Sequence, residues 1–235
     1  MLSLYKEQVK LLVALDSVIF GFDGETLKIL LVKRGIETDK DTWSLMGGWL
    51  KSDESLDNAA ERIVHELTGL NNVYLEQITV MGEPNRDPVE RTVSVIYYAL
   101  INVADYNEQI SEKYNAKWFS LEEMPNMLYD HDKIVKLASD KLKYKAAFHP
   151  VGLELLPKKF TIPQFQILYE AIYGTTIDKR NFSRNILSTG LLVKLEEKQR
   201  GFSKKGAYYY EINQENYKKT GESFVKFIPN IEPHI

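Results

Sequence analysis

Gly48–Leu70 reads GWLKSDESLDNAAERIVHELTGL, and the folding of that stretch decides how the rest is understood. Ser55 suits an N-cap and Gly69 suits the residue just past a helix, so a helix is expected from about Leu56 to Thr68. At ~100° per residue, Ala59, Leu70, Ile63, Leu56, Leu67, Ala60 and Val64 fall in one apolar arc of about 140°. Glu66 lies at its edge, while Arg62, His65, Asn58 and Asp57 lie outside it. A helix that gathers carboxylates around one Mg²⁺ ion places them at i, i+3 and i+4, because this hard cation takes oxygen ligands in near-octahedral geometry. Those places here are Ile63, Glu66 and Leu67. Two of the three have become apolar.

Upstream of this helix, residues 10–22 and 27–34 read as two strands joined by Asp23-Gly24, a strong hairpin signal. A polar loop, GIETDKDT, then leads to Trp43 and the Gly47-Gly48 pair. Downstream, 73–82 and 92–103 supply further β-rich runs around the loop Gly82–Pro88, and 116–119 is a short strand. A long connecting helix is expected from about His131 to Ala147.

After Pro150 the pattern changes. Thr161–Tyr173 has helical apolar spacing with Thr161 as N-cap and Gly174 as stop. A second helix, Asp178–Thr189, closes at Gly190. Leu191–Leu195, a basic tip EEKQRGFSKKG and the tyrosine-rich Ala207–Ile212 then form a hairpin. Helix, turn, helix, hairpin is the order of a winged helix-turn-helix. The fold class is therefore α+β, with an N-terminal α/β sandwich over 1–148 and a winged helix-turn-helix over 149–235.

With 235 residues and 44% hydrophobic content, the chain is long enough for one large or two modest domains. It has no cysteine, which excludes disulfides and thiolate metal sites. Asp16 interrupts the only apolar run near the N-terminus, well short of the ~20 residues that span a bilayer, and no leader pattern precedes it. A cytoplasmic protein without membrane contact is expected. Residues 1–145 carry 17 Lys/Arg against 24 Asp/Glu, whereas 146–235 carry 13 against 9. Only the second part has the sign to meet a polyanion.

A helix-turn-helix places the start of its second helix in the major groove, where Arg, Lys, Asn and Ser reach base edges. Lys179, Arg180, Asn181, Ser183 and Arg184 occupy that position here, with Phe182, Ile186 and Leu187 expected to turn inward. Lys198, Arg200, Lys204 and Lys205 on the hairpin tip suit phosphates or the neighbouring minor groove. Double-stranded DNA is the expected partner.

The stretch 48–70 resembles the Nudix box. Gly48, Glu54, Arg62, Val64, Glu66, Gly69 and Leu70 match its pattern, and Ile63 and Leu67 replace two of its acidic residues. Residues 160–192, FTIPQFQILYEAIYGTTIDKRNFSRNILSTGLL, and the loop Glu83–Pro88 with Arg91 resemble the Nudix-related transcriptional regulators. That resemblance spans nearly the whole chain. It implies a catalytically inactive Nudix-like sensor, a homodimer, an operator with an inverted repeat, and no cofactor, metal or catalytic residue set.

Two branches of that family differ in effector. One senses ADP-ribose and controls NAD metabolism; the other senses L-arabinose and controls sugar use. A pyrophosphate diester needs cationic or metal contacts, whereas a neutral pentose needs hydrogen bonds and an aromatic face. The chain most resembles the arabinose-sensing branch, and the lost metal ligands fit it; that resemblance implies L-arabinose as the effector and release from the operator as the response. An ADP-ribose-responsive regulator, or a divergent hydrolase of ADP-ribose or nucleotide sugars, is the alternative. Candidate effector contacts are Lys33, Trp43, Trp49, Glu83, Arg86, Asp87 and Arg91, with His65 and His149 read as surface or linker residues. The helix at 131–150 is the expected link from sensor to reader.

Overall fold

The computed structural model describes residues 7–33, 42–110, 115–199 and 206–219. The polar loop expected after Lys33 and the candidates Arg200, Lys204 and Lys205 lie mainly or wholly outside them. Two compact units emerge, dividing the helix His131–Phe148 between Ala138 and Ser139.

β1 (Leu12–Phe22), β2 (Leu27–Lys33), β3 (Trp43–Ser44), β4 (Met46–Trp49), β5 (Glu76–Met81), β6 (Thr92–Asn102) and β7 (Ala116–Ser120) join in one sheet, most of it in the first unit. Its main order is β3-β2-β1-β6-β5, with β4 on β1 and β7 on β2. Asp23 closes the β1–β2 turn by accepting the Thr26 amide at 2.8 Å, and Gly24 takes the φ of +100° that an L side chain resists.

Helix α1 (Leu56–Thr68) has the range expected from its caps. The Ser55 side chain accepts the Asn58 amide at 3.2 Å, and Gly69, with φ 79°, donates to His65 O at 2.8 Å. Ala59, Ala60, Ile63 and Val64 are buried beneath it. Burial of branched side chains such as Ile63 and Val64 stabilises by about 1.5–3 kcal/mol each. A short helix, α2 (Val103–Tyr106), follows β6, and α3 (His131–Phe148) begins within the first unit.

The second unit contains the winged motif: β8 (Phe160–Thr161), α4 (Ile162–Tyr173), α5 (Lys179–Ser188), β9 (Leu192–Gln199), β10 (Ala207–Ile212) and α6 (Gln214–Lys219). Thr161 and Gln164 form a reciprocal capping box at α4, and Asp178 accepts the Asn181 amide at 2.8 Å to cap α5. Phe160, Phe165, Tyr169 and Phe182 meet with centroid separations of 5.0–5.8 Å and fill the core.

Two expectations need correction. Leu187 is 46% exposed, because the inward stripe of α5 runs from Phe182 to Ile186, one turn apart, and Leu187 rotates past it. Glu196–Gln199 belongs to β9 rather than to the tip, since its ladder with β10 extends to Gln199↔Ala207. Charged residues disguise that strand because both faces of a wing stem can meet solvent. No helix among the described residues is long and apolar enough to cross a membrane.

Candidate functional site

Arg62 takes hold of both carboxylates that remain in the box. Its Nε and Nη2 donate to Glu54 at 2.8 and 2.6 Å, its Nη1 to Glu66 at 3.1 Å, and Nη2 also to the Trp49 carbonyl at 3.0 Å. The Lys51 amide adds a donor to Glu54 at 2.9 Å. Hydrogen bonding from Arg62, assisted by Lys51, lowers the Glu54 carboxyl from the ordinary 4.5 to about 2. The same pairing lifts the Arg62 guanidinium above its usual range.

Ile63 fills the next former ligand position from below. It is buried, and a Cβ added to Gly48 would meet its Cγ1 at 2.9 Å, so Gly48 is the residue that lets α1 sit this close. Leu67 is half-buried, and Glu66 is 53% exposed. These residues do not fit Mg²⁺. No group of three acidic, His or Cys side chains able to hold an ion exists among the described residues. Tyr97 of β6 pins the first turn of α1 by donating to Asp57 at 2.6 Å; burial, then that carboxylate, pushes its hydroxyl far above the ordinary phenol range.

The depressed Glu54 value has a definite sign. A carboxyl whose folded value lies below its unfolded one stabilises fully above about 4.5, and that contribution fades as pH falls toward about 2. Urea unfolding across this window should therefore show the gap between wild type and Arg62→Ala closing as acid is added. A gap independent of pH would contradict the pairing.

The loop between β5 and β6 carries the second constellation. Arg86 is turned inward, with its side chain 6% exposed. Its Nε and Nη2 donate to Asp130 at 3.1 and 3.0 Å, its Nη1 donates to Ser94 Oγ at 2.7 Å, and Asp16 lies 3.5 Å from Nη2. Next to it, the Leu45 amide donates to His131 Nδ1 at 3.1 Å, which leaves the ring proton on Nε2, 3.7 Å from Asp16. One guanidinium thus ties β1, β6 and the start of α3 together.

The other candidates are dispersed. Asp87 caps its own loop by accepting the Val89 amide at 2.9 Å and makes no pair with Arg86. Arg91 donates to the carbonyls of Gly82, Glu83 and Thr92 at 2.8, 3.2 and 3.3 Å, and the Glu83 side chain faces solvent. Trp43 pairs in register with Lys33, and its ring meets Phe119 edge-on at 4.7 Å. Trp49 is half exposed on a different strand, where it pairs in register with Ala14. His65 and His149 are exposed. Asp16, Asp130 and His131 escaped the sequence reading; the only signal was an aspartate inside an apolar strand.

On the reader, Lys179, Arg180, Asn181 and Arg184 are exposed and Ser183 half-buried. Arg184 donates to Asn181 Oδ1 at 2.8 Å. Lys198 projects from β9, exposed, beside Tyr208.

Residues 10–138 match the family profile described as the NUDIX domain, and 152–212 that of the NrtR DNA-binding winged helix domain. The transcriptional repressor NtrR of Acinetobacter baylyi, described as ADPR responsive, is 31% identical over 210 residues, covering 88% of this chain and 84% of that protein. The chain belongs to the NrtR-type Nudix family. Crystallised Shewanella oneidensis NrtR in complex with a 27mer DNA shares the fold with a TM-score of 0.73 at 28% identity, over 88% of this chain and 95% of that one. An ADP-ribose pyrophosphatase of Methanocaldococcus jannaschii is 30% identical over 118 residues, 50% of this chain and 68% of that enzyme. NrtR-type membership establishes a transcriptional regulator with a DNA-binding winged helix. The expected closeness to the arabinose-responsive branch gains no support from these relatives.

Proposed function

We propose that this chain is an ADP-ribose-responsive repressor whose Nudix domain, within 1–148, binds the nucleotide without hydrolysing it, while 149–235 reads operator DNA. The observation that carries this reading is the likeness to an ADPR-responsive repressor over 84% of that protein's length. The box supports the loss of hydrolysis, since Arg62 occupies both surviving carboxylates and Ile63 fills a ligand position.

A diphosphate can be held without a metal. Arg91 is anchored by three backbone carbonyls and, among the described residues, has no carboxylate partner, so its charge is available to the diphosphate. Two recognition helices related by a two-fold axis read an inverted repeat. If ADP-ribose favours the DNA-incompetent arrangement, linkage requires DNA to weaken ADP-ribose binding by the same factor.

The test is duplex binding on DNA from upstream of NAD-metabolism genes and of sugar-utilisation genes, titrated separately with ADP-ribose and L-arabinose. ADP-ribose should weaken binding by about tenfold or more, within the usual range of allosteric coupling, and L-arabinose should do nothing. Arg91→Gln should blunt the ADP-ribose response and leave duplex affinity intact. Release by arabinose alone, or brisk Mg²⁺-dependent cleavage of ADP-ribose, would overturn the reading. Light scattering that returned a monomer at working concentration would remove the two-fold arrangement.

A further inference from the structure

The stem of the wing gathers two lysines onto one tyrosine ring. Lys194 Nζ lies 3.6 Å from the centroid of Tyr208, and Lys198 Nζ lies 4.3 Å from it. Four residues apart on an ordinary strand, the two would stand ~13 Å from each other. Here the β9–β10 ladder is irregular: Lys198 faces Tyr208 and Lys194 faces Tyr210, so four residues of β9 span only two of β10. The extra residues bend β9 and bring its lysines together.

That convergence has an electrostatic cost which, among the described residues, no acidic partner relieves. The ring distances hold the two ammoniums within about 8 Å of each other. Between them in sequence, Glu197 is engaged by Lys159 at 2.6 Å. Among the described residues no carboxylate pairs with Lys194 or Lys198, and both are exposed. A ring face attracts a cation by only ~0.5–1 kcal/mol at an exposed site, enough to orient the side chains but not to neutralise them. An anion lodged between the two would.

We propose that Lys194, Lys198 and Tyr208 form a seat for a backbone phosphodiester of duplex DNA on the wing stem. The seat is blind to sequence: it anchors the winged domain while α5 meets the bases. This rests on the DNA-binding reading above and adds Lys194 and Tyr208 to it.

The test measures the affinity of the full chain for fluorescein-labelled mixed-sequence duplex DNA over a range of salt concentrations. Each lysine that neutralises a phosphate contributes about 0.9 to the slope of log K against log salt. The double variant Lys194→Ala/Lys198→Ala should therefore flatten that slope by about two, and Lys194→Arg/Lys198→Arg should keep it. Tyr208→Leu, which leaves both charges but removes their platform, should flatten it partly; Tyr208→Phe should not. Lys159→Ala, which removes a cation from the same unit, should leave the slope unchanged.

A wild-type slope in the double variant overturns the seat, as does an equal loss from Lys159→Ala, which would mark a general charge effect. Competition by inorganic phosphate at millimolar concentration would assign the pair to free anions instead and overturn the duplex assignment. A wild-type chain without salt-dependent duplex binding would instead remove the DNA-binding reading itself, a result distinct from a slope that the variants fail to change.

Discussion

Replacing Arg86 by leucine should destabilise the Nudix unit by about 3–5 kcal/mol, the range for removing one partner from a buried ion pair. The size follows from what would be left behind. Asp130 and Asp16, with side chains 12% and 8% exposed, both face the Arg86 guanidinium. Without it, two carboxylates remain largely out of water and, among the described residues, no Lys or Arg pairs with them. Lysine should rescue little, because Asp130 is held by Nε and Nη2 in a planar fork while Nη1 reaches Ser94. Arg86→Leu with Asp130→Leu should recover part of the loss, since an apolar replacement of both partners removes the stranded charge. Urea denaturation of the single and double variants gives these values by linear extrapolation. A loss below about 1 kcal/mol, the scale of an exposed pair, would mean that solvent reaches this cluster freely.

The Arg86 cluster also marks where the sequence ceases to be legible. Local signals located α1, since Ser55, Gly69 and an apolar arc lie within a single stretch, and likewise α4 and α5 from Thr161, Gly174 and Asp178. Arg86, by contrast, meets Asp130 across 44 residues, and His131 meets Leu45 across 86. No periodicity encodes such pairs; they arise only when the strands of one sheet come together. The loop therefore resembles a ligand surface in sequence, although its arginine is turned inward. The β9 stem was hidden for a different reason, because a strand with solvent on both faces needs no apolar alternation.

The effector poses a third kind of problem, one of chemistry. Losing carboxylates at 63 and 67 argues against metal-assisted cleavage, but binding a diphosphate needs only positive charge. Arg91, fixed by backbone carbonyls, keeps that charge in a loop of its own. Loss of catalysis and loss of nucleotide affinity are separate events.

Phe182→Ala should cost the winged unit about 3–5 kcal/mol and abolish duplex binding under conditions where the Nudix unit stays folded. Phe182 is 1% exposed and lies 5.6 Å from Phe165 and 5.8 Å from Tyr169, centroid to centroid. It is the larger of the two buried apolar side chains on α5, the other being Ile186. Truncating it removes the ring that seats α5 against Phe165 and Tyr169 of α4, so Lys179, Arg180 and Arg184 would lose their common presentation although none of them changes. The contact pattern divides the chain into two units, each with its own core. Thermal or urea unfolding followed by intrinsic fluorescence should accordingly split into two transitions, with the winged transition moved down and the other unmoved. Because α3 runs continuously through the division at Ala138 and Ser139, a different outcome is also informative. If both transitions shift together, the helix couples the two units energetically. Charge presentation would then depend on the state of the sensor, which is the physical condition that any effector-controlled reader must meet.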